Sequence, residues 1–181
     1  MTTYSFEECY EKITTTGWLD KDEAELLFNT AKSTKGSIVE VGSYQGRSAM
    51  LLVQLGRPLH CIDPWDDYFH SSLKGEEIYQ RFQEHMQGLA EICQINWTCH
   101  RKPVEQCDPI PAGFVYLDGD HSYQGTINQV KWALLCKPQI IAIHDVNNSG
   151  EGLEVKRAAT ELLGMWQRRV NRLAIWRVAR S

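Results

Sequence analysis

Ile38-Val39-Glu40-Val41-Gly42-Ser43-Tyr44-Gln45-Gly46 has the pattern of a buried strand that ends beside an acid and runs through a glycine turn into a helix. In an open parallel α/β sheet, ligands bind beyond the carboxyl ends of the strands, where glycines let the backbone come close. The turn therefore predicts a nucleotide-like ligand. Glu40 narrows the choice, because a dinucleotide would bring its anionic pyrophosphate to such a turn and helix N-terminus. S-adenosylmethionine (SAM) carries an ammonium and a sulfonium beside its nucleoside, and the acid would attract it.

Working outward, strand and helix patterns alternate. Ser37–Gly42, Leu59–Asp63, Asn96–His100, Phe114–Asp118 and Gln139–Asp145 read as strands, and Gly46–Leu55, Gly75–Cys93, Ser122–Cys136 and Leu153–Met165 as helices. Asn147–Gly152 reads as a loop. Residues 1–36 read as a helical cap with Asp20 as a helix cap, and 166–181 as an antiparallel hairpin turning at Asn171. The expected fold is α/β: a Rossmann-like, doubly wound, mostly parallel sheet in three layers with a C-terminal antiparallel hairpin. The 181 residues, 43% of them hydrophobic, are expected to form a single domain with its core over 37–165.

A net charge of −4 argues against nucleic acid as a partner. The arginines at 168, 169, 172, 177 and 180 read as the solvated side of the terminal hairpin. Neither a signal sequence nor a membrane span is legible, which predicts a soluble cytoplasmic protein, and the six cysteines show no zinc spacing and read as reduced thiols.

Parallel strands deliver their carboxyl ends to one edge of the sheet, so Glu40, Asp63, Asp118 and Asp145 are expected to converge there. Asp63 has the spacing of an acid that binds ribose hydroxyls. Asp118, Asp120 and His121 form a polar cluster that folding alone does not require. Asp118 with Asp145 offers two hard oxygen ligands for Mg²⁺, with Asn147 or Asn148 as a third, and either His121 or Asp120 could act as the base. The aromatic loop at 64–70 is read as a lid, or else as packing against the N-terminal helices. Trp18 and the 147–152 loop are read as acceptor walls.

The runs Ile38–Leu51, Cys61–Trp65, Phe114–Gly125 and Ile140–Val146 together resemble class I SAM-dependent methyltransferases of the small DGDHSY type, and more distantly catechol O-methyltransferase and antibiotic-sugar O-methyltransferases. The resemblance implies SAM contacts from Glu40, Gly42, Ser43, Tyr44, Gly46 and Ser48, with Asp63 on the ribose and Trp65 near the adenine. It also places Asp118 at a metal-binding aspartate and His121 at the position of a catalytic lysine. Here Val146, not asparagine, follows Asp145, which leaves the metal open. The implied activity is O-methylation of a small-molecule acceptor by one chain or a homo-oligomer. The rival readings are a nucleotide-sugar glycosyltransferase, from the D-x-D at Asp118-Gly119-Asp120, and a SAM-binding protein without catalysis.

Overall fold

The computed structural model describes residues 5–15, 17–67 and 71–178. Two helices precede the sheet, α1 (Phe6–Tyr10) and α2 (Lys21–Lys32), each opened by a capping box, Ser5 with Glu8 and Asp20 with Glu23. Among the described residues, the stretch between them is not helical. Then follow β1 (Ile38–Val41), α3 (Arg47–Val53), β2 (Leu59–Ile62), α4 (Gly75–Ile92), β3 (Trp97–His100), a 3₁₀ turn (Val104–Gln106), β4 (Phe114–Leu117), α5 (Tyr123–Leu135) and β5 (Ile140–Ile143). The chain continues through α6 (Gly150–Leu163), β6 (Arg168–Val170) and β7 (Leu173–Arg177). Helix α6 starts inside the segment read as the 147–152 loop. Ser149 there has extended backbone and serves as its N-cap. Ala179 and Arg180, which the sequence reading included in the hairpin and its charged face, lie outside the described residues, as do 68–70 of the proposed lid.

The seven strands are ordered β3-β2-β1-β4-β5-β7-β6, with β1 to β5 parallel and β7 antiparallel to both β5 and β6. The chain runs outward from β1 to β3, then returns to β4 beside β1 and builds in the opposite direction. That reversal opens a crevice at the carboxyl ends of β1 and β4, where such sheets bind ligands.

Alternation along the strands sorts the core into two apolar layers. Ile38, Phe114, Tyr116 and Ile140 face a layer shared with Leu27, Phe28, Leu51 and Phe82, whereas Val39, Val115, Ile141 and Ile143 face one shared with Val130, Ala133 and Val155. Glu40 falls between Cys61 and Tyr116 in register, so the strand's own period turns its carboxylate into the first layer. All six cysteines are free thiols. Among the described residues no helix is long and apolar enough to cross a membrane.

Candidate active site

The turn after β1 is built against the end of β4. Gly42 has φ +85°, and a Cβ there would land on the Asp118 carbonyl. Glycine is thus needed twice, for the left-handed backbone and for the close approach that brings Asp118 to the turn. Gly42→Ala is expected to lose about 1–2 kcal/mol from φ alone, with the backbone clash adding to it. A lower melting temperature together with loss of S-adenosylhomocysteine (SAH) binding in calorimetry is the expected result; wild-type values for both would refute this reading of the turn.

Asp63 does not line the pocket. It is 1% exposed, and its Oδ2 accepts the backbone N–H groups of Ser43 (2.8 Å) and Tyr44 (2.9 Å), while Oδ1 accepts that of Trp65 (2.7 Å). Tyr44, at φ +48°, helps to aim the successive N–H groups of the turn at one point. Such a nest binds anions, and here a side chain fills it. Trp65 is likewise a core residue, packed on Tyr79 and Phe82 with Nε1 donating to the Tyr44 carbonyl. It braces the turn from behind, so the expected adenine contact would need a different surface. Gly46, at φ +93°, is the N-cap of α3, and His85 Nδ1 supports the turn at the Gln45 carbonyl, 2.8 Å away.

Glu40 lies beneath the turn with no exposed surface. Its Oε2 accepts the Ser43 hydroxyl at 2.5 Å, and its Oε1 is buried without a hydrogen-bond partner. Burial outweighs the hydrogen bonds from Ser43 and Ser48 and pushes the carboxyl up to about 7. Glu40 is therefore a reluctant anion behind the pocket wall, not an open charge on it.

A pocket of about 820 Å³ opens over the turn, large enough for a cofactor and a small second ligand. Gly42, Ser43, Tyr44 and Ser48 line it together with Asp118, His121, Asp145 and Asn147. Trp18 packs against Tyr44 with tilted rings 5.3 Å apart and borders the pocket, as do Ser149 and Gly152 of the 147–152 segment. His121 Nε2 lies 3.5 Å from both Asp118 Oδ1 and Asp145 Oδ2. Burial pulls the imidazole down, but the two carboxylates outweigh it and raise its pKa. For Asp118 the desolvation cost is overcome by His144 and His121, and its carboxyl is held far below the usual range.

Two expected site residues are turned to structural duties. Asp120 is exposed, and its Oδ1 accepts the Ser122 N–H at 2.8 Å at the start of α5, whose N-cap is Ser122. It points away from the large pocket while Asp118 points in, so the D-x-D pair does not converge. Asn147 Oδ1 accepts the Ser149 N–H at 2.9 Å, and the third residue gathered with the two aspartates is His121.

Sequence reasoning missed three members of the site. Glu23 of α2 is fully buried with Oε2 3.1 Å from His144 Nε2, and its Oε1 accepts the Arg172 N–H at 2.8 Å. Arg172 is not a solvated hairpin residue: Nη1 is 3.0 Å from Asp145 Oδ1, and Nη2 donates to the Trp18 carbonyl at 2.6 Å. His144, the residue before Asp145 at the end of β5, is the hub of this cluster. Arg47 anchors the pocket's N-terminal wall, donating to the Thr15 and Leu19 carbonyls and to the Tyr10 hydroxyl. Glu23 had a visible local signal, the Asp20-x-x-Glu23 capping box, and nothing in that box announces its long-range partner.

Residues 39–146 match the methyltransferase-domain family, which is more than half of the chain. The chain belongs to the class I SAM-dependent methyltransferases. Solved structures similar to this methyltransferase include an apo TDP-rhamnose 3'-O-methyltransferase of calicheamicin biosynthesis (TM-score 0.61, 13% identity, 95% of this chain and 92% of that one). An SAH-bound methyltransferase from Podospora anserina gives a TM-score of 0.65 at 14% identity over 97% and 88% of the two chains. An SAH-bound O-methyltransferase from Bacillus cereus gives 0.61 at 15% over 94% and 88%. At these identities the likeness speaks for the fold. No curated protein sequence matches the methyltransferase.

Asp118, His121 and Asp145 of the methyltransferase offer ligand atoms within 4.8 Å of one another. The set does not suit Mg²⁺, which takes oxygen donors, because one of the three is an imidazole. Asp145, moreover, already faces the Arg172 guanidinium, and the His144 ring lies against both carboxylates.

Proposed function

We propose that this methyltransferase transfers a methyl group from SAM to a hydroxyl of a small acceptor, and does so in the pocket between the Gly42 turn and Asp118. The observation that carries the reading is the filled nest. With Asp63 on the N–H groups of Ser43 and Tyr44, two central donors of the turn are already taken and a carboxylate sits where a diphosphate would go, which disfavours a dinucleotide or a sugar nucleotide. The divergence of Asp118 and Asp120 disfavours the sugar nucleotide further.

The chain's own features suit SAM. Glu40 Oε1 is an orphaned buried acceptor directly beneath the turn, and Gly42 leaves a cradle that a Cβ would fill. Gly42, Ser43 and Ser48 would hold the methionine end, leaving Tyr44 and Ser71 for the nucleoside. SAM, when bound, supplies an electrophilic methyl on a sulfonium. What remains for the protein is to align the acceptor and manage its proton. Asp118 and Asp145 would orient the hydroxyl, and His121, on the pocket wall between them, would receive its proton at a ring nitrogen in its neutral form.

Competitive calorimetry tests the reading. SAM and SAH are expected to bind at micromolar concentration, with UDP-sugars and NAD not binding, and methyl-labelled SAM is expected to label hydroxyl acceptors from a panel of phenols, sugars and amines. Binding of a UDP-sugar in preference to SAH would overturn it, and SAH binding with labelling only of amine acceptors would overturn the hydroxyl assignment.

A further inference from the structure

The two carboxylates at the ends of β4 and β5 are bridged by a side chain of the protein itself. His144 Nδ1 lies 3.3 Å from Asp118 Oδ1 and 3.3 Å from Asp145 Oδ2. The other two carboxylate oxygens are also engaged: Asp118 Oδ2 accepts the Tyr116 hydroxyl and Asp145 Oδ1 the Arg172 guanidinium, both at 3.0 Å. On the far side of the ring, His144 Nε2 faces Glu23 Oε2 at 3.1 Å.

This geometry decides the state of His144. A carboxylate can only accept, so a carboxylate opposite each ring nitrogen calls for an N–H on both. Glu23 is itself committed as an anion, since it also accepts the backbone N–H groups of Arg172 and Asp20. The side chains of His144 and Glu23 are 1% and 0% exposed, so neither can exchange its partner for water. The three carboxylates Glu23, Asp118 and Asp145 thus share two cationic partners, His144 and Arg172.

We propose that the buried Glu23–His144 pair, together with Arg172, stands in for a divalent cation in this chain, holding Asp118 and Asp145 so that the site operates without a metal. A dication placed between Asp118 Oδ1 and Asp145 Oδ2 would meet the His144 Nδ1–H. Moving that imidazolium away would strand the Glu23 charge in the core, which is the costly way to break a buried pair. Glu23 also ties the site to α2, so the helical segment before the sheet helps to position the chemistry. In this arrangement His144 and Glu23 are positioning residues. They act through the two aspartates.

The inference rests on the methyl-transfer reading only for the reaction it serves, and its test needs no turnover. Chelator-treated full-length protein is titrated with Mn²⁺, with the free ion followed by electron paramagnetic resonance. The wild type is expected to leave the free-ion signal as in buffer through the millimolar range. His144→Asn removes the bridging cation and is expected to bind Mn²⁺ at least about tenfold more tightly than the wild type, because ligand charge sets affinity for hard cations. Glu23→Gln keeps an acceptor for Nε2 but removes the charge that fixes the second proton, and is expected to gain Mn²⁺ binding as well. Glu23→Asp is expected to stay like the wild type.

Stoichiometric Mn²⁺ uptake by the wild type that Asp118→Asn abolishes would overturn the proposal. So would folded His144→Asn and Glu23→Gln proteins that bind no better than the wild type. If His144→Asn does not fold, the comparison of Glu23→Gln with Glu23→Asp decides. SAH calorimetry on the same wild-type sample keeps the two readings apart, since failure to bind SAH would sink the methyl-transfer reading and leave the metal result standing.

Discussion

Replacing His121 with alanine is expected to reduce methyl transfer by about 10²–10⁴-fold, the usual range for loss of a positioned acid–base group, while SAH affinity stays within about twofold of the wild type. The asymmetry follows from place. His121 borders the pocket beside Asp118 and Asp145 and makes no contact with the Gly42–Gly46 turn that holds the cofactor in this reading, and its Nε2 has no hydrogen bond within the protein. An alanine there removes a proton acceptor and leaves the turn untouched. The two carboxylates raise the His121 pKa above 6.5 despite its burial. Only the neutral ring can accept a proton, so wild-type turnover at saturating substrate should rise with pH through a value above 6.5, and the alanine variant should lack that rise. Equal losses of turnover and SAH affinity would assign His121 to the cofactor site, and unchanged turnover would remove it from the mechanism.

The fold was legible because four of the five parallel strands, β1, β2, β4 and β5, carry their own local pattern, a short apolar run closed by an acid or a glycine, and these patterns imply the order of a doubly wound sheet. The site was legible where strand ends meet, which is why Asp118, His121 and Asp145 could be placed together. Orientation was harder. Glu40 and Asp63 stand at strand ends as expected, yet β1's period turns Glu40 into the core, and the turn's own N–H groups capture Asp63. An acid's position in a strand predicts which edge it reaches, and its hydrogen-bond competitors decide whether it faces the ligand. Trp65 shows the same limit, because an aromatic after a strand end fits either a ligand or the back of a turn. Glu23 and Arg172 were invisible for another reason. Their partners lie 121 and 27 residues away, at His144 and Asp145, and charge on a helix or hairpin ordinarily faces water.

Glu40→Gln is expected to make the ligand-free protein more stable at neutral and alkaline pH while weakening SAM binding. In the folded protein the Glu40 carboxyl titrates near 7, against 4.5 for the ordinary value. Between those two values the unfolded chain has released its proton and the folded one has not, so the unfolded state binds fewer protons and stability falls as pH rises. Each unit of difference corresponds to about 1.4 kcal/mol, and the loss accumulates to about 3 kcal/mol once the pH passes 7. Glutamine cannot ionise, so the slope between pH 4.5 and 7 that belongs to this group should vanish. Its amide NH₂ would be placed where Oε1 now lacks a partner, and leaving it unpaired returns about 1 kcal/mol. The net gain above pH 7 should thus be about 2 kcal/mol by chemical denaturation. A cationic cofactor reverses the balance, since an anion beneath the turn is stabilised when SAM binds and the neutral amide is not. SAM affinity should therefore fall by about tenfold, with SAH, which lacks the sulfonium charge, affected less. A variant with the wild-type pH slope would show that Glu40 is ionised in the ligand-free protein, and equal losses for SAM and SAH would show that its part in binding is shape and not charge.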